Sequence, residues 1–429
     1  MTVLPLPSAA VVVPRPVTEV AVVGGGPVGV FLAVLLAQAG VSVQVLEQRS
    51  DRSAHSRAIG IHPPALEALA AAGVAGTMTG EGVQIRRGEA RSGGRSVAAL
   101  DFSAASARFP YVLTLPQLRT EAILEARLRE MDPQALVRGA KVENLHDDGR
   151  RVVLHGSVGG AGMGGPGPGA GPGPGAGPGP GAGPGPGAGP GPGANPRPWQ
   201  VSARIVVAAD GARSGVRRLL GTPCRTRELP DTYLMGDFAD TTGDGGVGVL
   251  YLESGGIVES FPLPGAVRRW VAHTDTLLAG ATAGDLSDLI AARTGVRPDP
   301  LSNTMLSAFS VRTGLARELV RGRTVLIGDA AHEVSPIGGQ GMNLGWLDAA
   351  ALAPIIAASL RGDDVGAALA AFGRNRRRAA VVASLQAQLN MVLGRPLAPP
   401  LLAVRNAGLS RIFRLPAAGN LVARRFTMQ

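Results

Sequence analysis

The 429-residue chain contains a single cysteine, Cys224, which excludes intramolecular disulfides, cysteine-rich metal sites and CxxC redox chemistry. Lysine is almost as scarce: Lys141 is the only one, so the formal charge of +10 is carried by arginine. These arginines are scattered through helical patterns, and aromatic residues make up only 3% of the chain, with none interleaved among basic runs. Base-stacking platforms are therefore missing, which argues against a nucleic-acid partner. The densest basic run, Arg374 to Arg378 in GRNRRRAA, reads as a solvated helix face. The early part of the chain also lacks a long apolar run. VGVFLAVLLAQAG is about half of the ~20 residues that a membrane span needs, so no stable membrane insertion is expected. The opening residues lack a basic n-region and are broken by prolines, unlike a secretory signal, and a cytoplasmic location is expected.

Glycine and proline, by contrast, are abundant. From Gly165 to Ala194 the hexapeptide GPGPGA occurs five times in succession. Its glycines recur at every second position, not every third, so the collagen requirement is not met. The segment 159–195 has little to bury and is expected to be a disordered insertion. KVENLHDDGRRVVLHGSV before it reads as two strands around an Asp-Asp-Gly turn, and WQVSARIVVAAD after it as a third, so the insertion lengthens a surface connection.

Two further glycine clusters carry chemistry. In TEVAVVGGGPVGVFLAVLLAQAGVSVQVLEQ a β-branched strand leads through Gly24, Gly26 and Gly29, in GxGxxG spacing with Pro27 and Val28 between, into an apolar helix. A second strand then ends at Glu47. The first glycine allows the tight turn, the second the approach of a pyrophosphate, and the third close helix–strand packing. Unpaired N–H groups at the helix start favour phosphate, and Glu47 is placed to accept hydrogen bonds from a ribose diol. Three hundred residues later RTVLIGDAAHEVSPIGGQGMNLGWLDAAALA places an acid, a proline and further glycines between a buried strand and a helix.

With SRAIGIHPPALEAL around Arg57, LTLPQLRTEAILEARL around Gln117, VVAADGARSGVRRLLG around Asp210 and the stretch around Asp329, the chain resembles the para-hydroxybenzoate hydroxylase-type, single-component FAD-dependent monooxygenases. The motifs occur in that family's order between about Thr18 and Gly394. The resemblance implies an α/β fold: a Rossmann-type FAD-binding domain bearing GxGxxG, DG and GD motifs, with an inserted, mainly antiparallel β-sheet substrate domain. It divides the chain into a discontinuous FAD-binding domain (18–80, 111–223 and 314–394) and a substrate-binding sheet (81–110 and 224–313); residues 395–429 lie outside it and are read as a C-terminal helical tail. That tail is expected to pack against the FAD-binding domain, in preference to an anionic membrane surface.

The resemblance also implies roles. Arg57 would pair with the pyrophosphate, Gln117 would lie against the cofactor, and Asp210 would sit near the phosphates. Gly328 and Asp329 would serve the ribityl hydroxyls. Pro336, Gly339 and Gly341 would let backbone run beside the isoalloxazine ring, which the helix start at Met342 and Asn343 would face. No second GxGxxG precedes a helix, so NADPH or NADH would bind transiently. Neither a catalytic triad nor metal-ligand spacing is visible, consistent with FAD carrying the difficult chemistry, and no side chain is assigned as acid or base. The expected function is a hydroxylase or epoxidase acting on an aromatic or polyketide-like small molecule, as monomer or homodimer. The alternatives are a non-redox cyclase of the same fold and a flavin-containing binding protein.

Overall fold

The computed structural model describes residues 12–52, 58–103, 106–158, 196–414 and 416–428. The Gly-Pro repeat and Arg57 lie outside them. In chain order the first part forms β1 Val17–Val23, α1 Pro27–Gln38, β2 Val43–Glu47, β3 Gly60–Ile61, α2 Pro63–Ala71, α3 Ala75–Glu81, β4 Val83–Ile85, β5 Arg87–Ser92, β6 Arg95–Asp101, β7 Val112–Thr114 and α4 Gln117–Met131. The middle forms β8 Leu136–Arg138, β9 Ala140–Asp147, β10 Val152–Val158, β11 Arg197–Ala208, α5 Gly215–Leu219, β12 Cys224–Ala239, β13 Val247–Tyr251, β14 Val258–Leu263, β15 Val267–Thr274 and α6 Ala283–Thr294. The remainder forms β16 Met305–Ala316, β17 Val320–Arg321, β18 Thr324–Leu326, β19 His332–Glu333, α7 Gln340–Arg361, α8 Gly366–Gly394, α9 Pro399–Phe413 and α10 Pro416–Phe426.

The strands β18, β11, β1, β2 and β8 lie side by side in parallel. Their near-continuous apolar runs suit strands covered on both faces. On one face α1, α2, α4 and α7 bury Phe31, Leu66, Leu124 and Trp346 in a shared core. The early half of β11 pairs antiparallel with β10, and β10 with β9, as the flanks of the Gly-Pro repeat predict. The α7 helix is long and apolar enough to cross a membrane by length and composition, but 56% of its apolar window is buried inside the protein. It is a core helix here.

A second, eight-stranded sheet runs β19-β16-β12-β15-β14-β13-β5-β6 and is mainly antiparallel; β13 and β5 pair in parallel. VQIRRGEA, read as one strand in sequence, breaks at Arg86: β4 joins a small sheet with β7 and β3, whereas β5 joins the large one. The β12 strand is longer than its sequence suggests, and its pairing with β16 shifts between Glu228 and Thr232. Pro230, which has no N–H for the ladder, falls in that break.

The C-terminal tail packs on both domains. The helices α9 and α10 lie against β6 of the second sheet. The end of the tail also meets the expected FAD-binding side, where Phe426 packs edge-on against His62, the Arg425 carbonyl accepts from Gln386 of α8, and Met428 packs beside Leu344 and Ala380. Ala423 and Phe426 join Phe102, Ile85 and Val112 in one apolar cluster, and Phe426 stacks on Phe102 at 5.7 Å between ring centres. Without this cover the edge-strand side chains there would face water.

Candidate active site

Four parallel strands deliver their carboxyl ends to one edge of the sheet. Val23 pairs with both Leu46 and Ala208, and Ala208 with Leu326, so the segments that follow are neighbours. These are the glycine turn, Glu47, Asp210-Gly211 and Gly328-Asp329. In open α/β sheets ligands collect at such an edge.

The glycine turn is sterically obligatory. Gly24 has φ +110°, and a Cβ there would stand 2.3 Å from the Ala209 carbonyl oxygen. At Gly29 it would stand 2.1 Å from the Gly24 oxygen, whereas at Gly26 it would meet nothing within 4 Å, because Gly26 lines the cavity described below. The Glu47 carboxylate is buried; it accepts hydrogen bonds from the Gly25 N–H at 2.7 Å and from the backbone N–H and Nε of Arg49. Gly25, which the GxGxxG spacing leaves without a role, is needed because a Cβ there would lie 2.8 Å from that of Glu47.

The second cluster docks on the first. Gly345 of α7 packs on Val28, and Trp346 Nε1 donates to the Pro27 carbonyl at 3.1 Å. Gly338 and Gly339 both take left-handed φ, at +88° and +65°. The loop they shape is pinned by Asn343, whose Nδ2 donates to Gly60 and Gly339 carbonyls while its Oδ1 accepts from the His62 N–H. His62 Nε2 in turn lies 3.2 Å from the Gly338 carbonyl oxygen, and burial pulls the imidazole down to about 4, so it is neutral. Asn343 therefore faces backbone, and it lies outside the cavity lining.

Below the GD turn lies a group that sequence reading missed. Asp348 of α7 accepts from the Gly328 N–H at 2.9 Å, from His332 Nε2 at 2.6 Å and from Arg376 Nε at 2.6 Å. Burial alone would lower the His332 pKa, but the Asp348 charge overrides it and holds the imidazole above its ordinary value. Asp348 is raised by burial, yet His332 and Arg376 together keep it below the usual carboxylate range. The arginine run that reads as a solvated face is thus divided: Arg376 and Arg377 turn inward, the latter onto the Ala316 carbonyl, while Arg374 and Arg378 stay exposed. The only sequence signal was the sixteen-residue step from His332 to Asp348, which no local pattern links.

The motif ends open into a cavity of about 1090 Å³. Gly24, Gly26, Pro27, Val28, Glu47, Gln117, Asp210, Gly328, Asp329, Pro336, Gly339, Gly341 and Met342 all line it. Gly29 and Asn343 are not in its wall, and Arg57 is not among the described residues. Asp329 lines the cavity and is exposed to it, and the protein crowded around it costs the carboxylate hydration and pushes its carboxyl up to about 6. Gln117 Nε2 donates to Glu121 at 2.7 Å. The Asp210 Oδ2 accepts from the Val216 N–H, but its Oδ1 is buried with no partner among the described residues. The remaining wall is the inner face of the second sheet, including Glu259, closed by Leu409, Phe413 and Phe426 of the tail. Among the described residues no cluster of His, Cys, Asp or Glu has the geometry to hold a metal.

The chain is similar to known proteins in sequence and in fold. The FAD binding domain family matches residues 17–159 and 193–386. Anhydrotetracycline monooxygenase of Streptomyces rimosus is 29% identical over 390 residues, covering 87% of this chain and 70% of the relative. In fold, p-nitrophenol 4-monooxygenase from Pseudomonas putida DLL-E4 superposes with TM-score 0.79 at 24% identity, over 96% of this chain and 99% of the other. The Diels-Alderase of pyrroindomycin biosynthesis has the same fold, with TM-score 0.73 at 21% identity, over 96% and 80%. The chain belongs to the FAD binding domain family, among its FAD-dependent monooxygenases.

Proposed function

We propose that the protein uses NADPH or NADH and O2 to hydroxylate or epoxidise an aromatic or polyketide-like small molecule. The observation that carries this reading is that one continuous cavity joins the four motif ends to the inner face of the second sheet. The names of the relatives, which act on an anhydrotetracycline and a nitrophenol, support an aromatic substrate.

The residues present fit FAD. Gly26 leaves open backbone at the start of α1 for a pyrophosphate, and the unpaired Asp210 Oδ1 lies at the same edge of the sheet. Glu47 and Gln117 would take the adenosine side, and Asp329 the ribityl hydroxyls. Pro336, Gly339 and Gly341 would run beside the ring, with Met342 at the N-terminus of α7, where helix dipoles favour negative charge. Bound FAD supplies the redox and oxygen-transfer chemistry that no side chain here provides. The protein's part is to hold the ring against the sheet, to orient the substrate between them and to exclude water with α9 and α10.

A cyclase reading keeps one specific support, the shared fold with a Diels-Alderase. The deciding experiment uses purified protein loaded with FAD. Anaerobic NADPH or NADH should bleach the flavin, faster with substrate, and air should restore the colour. Turnover of a substrate with neither nicotinamide consumption nor oxygen uptake would overturn the monooxygenase and favour the cyclase.

A further inference from the structure

Glu259 is a charged residue in the middle of an otherwise apolar wall. Across the second sheet, cross-strand pairing sets Ala98, Ala90, Leu250, Glu259, Val271 and Met235 in one row, and all six line the cavity. Glu259 is only 7% exposed. Among the described residues its carboxylate has no hydrogen-bond partner and no ion pair. Its row is continuous with the putting-together of sheet and loop, since Val271 and Met235 share an apolar cluster with Ile337 of the loop before α7. Burying an unpartnered carboxyl is unfavourable unless something else supplies a donor.

The charged groups around it are already committed. Arg269 of β15 is held by both oxygens of Asp237 of β12, at 2.7 Å each. Arg312 of β16 is held by Glu333 of β19, and Glu89 of β5 by Arg91. His273 of β15 lies 3.5 Å from Asp231 and is lowered first by burial, while Tyr233 of β12 is a buried phenol raised by burial and by Glu259 itself. Across the cavity His62 is neutral.

We propose that Glu259 is the substrate-recognising group of this wall, and that it selects molecules presenting a phenolic or enolic hydroxyl over those presenting a carboxylate. The proposal rests on the reading that this face takes the substrate. A hydroxyl would donate to Glu259 and satisfy it; a carboxylate would meet like charge, with both cavity arginines of the sheet neutralised by their own acids. The shared proton would draw electron density onto the substrate ring. Burial also pushes the Glu259 carboxyl up to about 7, so the discrimination has a pH signature. Above that value Glu259 is charged and repels an anion; below it the protonated acid donates to one.

The test is calorimetric binding to full-length, FAD-loaded protein of two planar probes, 2-naphthol and 2-naphthoate, from pH 6 to pH 8. Naphthoate stays ionised throughout, because carboxylic acids titrate near 4. At pH 8 naphthol should bind about tenfold or more tighter, and naphthoate should gain about tenfold on lowering the pH to 6. In Glu259→Gln the naphthoate step should vanish and the preference collapse. Equal binding of the two probes at pH 8, no naphthol binding at all, or a step that survives in the variant would each overturn the proposal; the wild-type titration decides even if the variant fails to fold. Because binding is read without turnover, the outcomes separate: a preference in a protein that turns over a substrate with neither nicotinamide nor oxygen consumption sinks the monooxygenase reading alone, and nicotinamide- and oxygen-consuming turnover without a preference sinks this proposal alone.

Discussion

At Asp348 one carboxylate satisfies the Gly328 N–H, an imidazole and a guanidinium, all within 2.9 Å. Removing it would leave the Arg376 guanidinium charged and poorly paired and the buried His332 without its acceptor, so Asp348→Leu should cost about 3–5 kcal/mol in denaturant melts. The pH dependence has a definite sign. His332 has a raised folded pKa, so its contribution is complete below its unfolded value of about 6.5 and is lost as pH rises through the folded value. Asp348 is depressed, so its contribution is present above about 4 and is lost in acid. Stability of the wild type should therefore fall on going from pH 6 to 9 by more than that of His332→Gln, and equal slopes would show that the pair is uncharged. Asp329 ends the same turn but lines the cavity, with no hydrogen-bond partner for its carboxylate among the described residues. Asp329→Ala should leave the melting curve of the apoprotein nearly unchanged and weaken FAD binding about ten- to a hundred-fold, the range of a hydrogen bond to a charged group. Unchanged FAD retention on dialysis would mean that the turn serves the fold alone.

The α1 helix shows how a local pattern can specify an element and its partner together. Its first turn holds Pro27 and Val28, its N-cap is Gly26, and Gly29 touches the Gly24 carbonyl, so strand, turn and helix are one steric unit. Gly29→Ala would place a methyl 2.1 Å from that oxygen. It should lower both the melting temperature and FAD content, and normal values for both would disprove the packing role. Such units were legible in the sequence because the contacts that join strand, turn and helix to one another lie within some thirty residues and the glycines mark them, although the unit's outside partners, Ala209 and Gly345, do not. The strands of the second sheet were legible as strands, but their order was not, because β5 and β13 pair across about 160 residues. For the same reason the inward-facing Glu259, the His332–Asp348–Arg376 group and the closure of the cavity by α10 carry no local mark. The expectation for the tail named only part of its partner: the tail meets His62 and Gln386 of the FAD-binding domain, as expected, but it also covers Phe102 of the second sheet, far away in sequence. Phe426→Ala should accordingly lose about 1–3 kcal/mol of stability, a partly buried aromatic's share. No change in thermal melts would show that α10 rests loosely on β6.

At the scale of the whole molecule, the fold must tolerate 159–195 without moving the motif ends. The described residues on either side show how this is possible. Val158 at the end of β10 pairs directly with Arg197 at the start of β11, so the two attachment points are neighbouring partners of one antiparallel ladder. The same β11 runs on to Ala208 and delivers Asp210 at the far end of the strand, away from the attachment. Replacing residues 159–196 with a four-residue turn would shorten the connection by about three doublings, each worth about 0.6 kcal/mol, so the folded state should gain about 2 kcal/mol. Flavin content and the response to NADPH should stay as in the full chain, because the β1–β11 register that aligns Gly24 with Ala209 is untouched. A shortened protein that melts earlier, or that loses FAD, would show that the Gly-Pro segment makes contacts the ladder cannot replace.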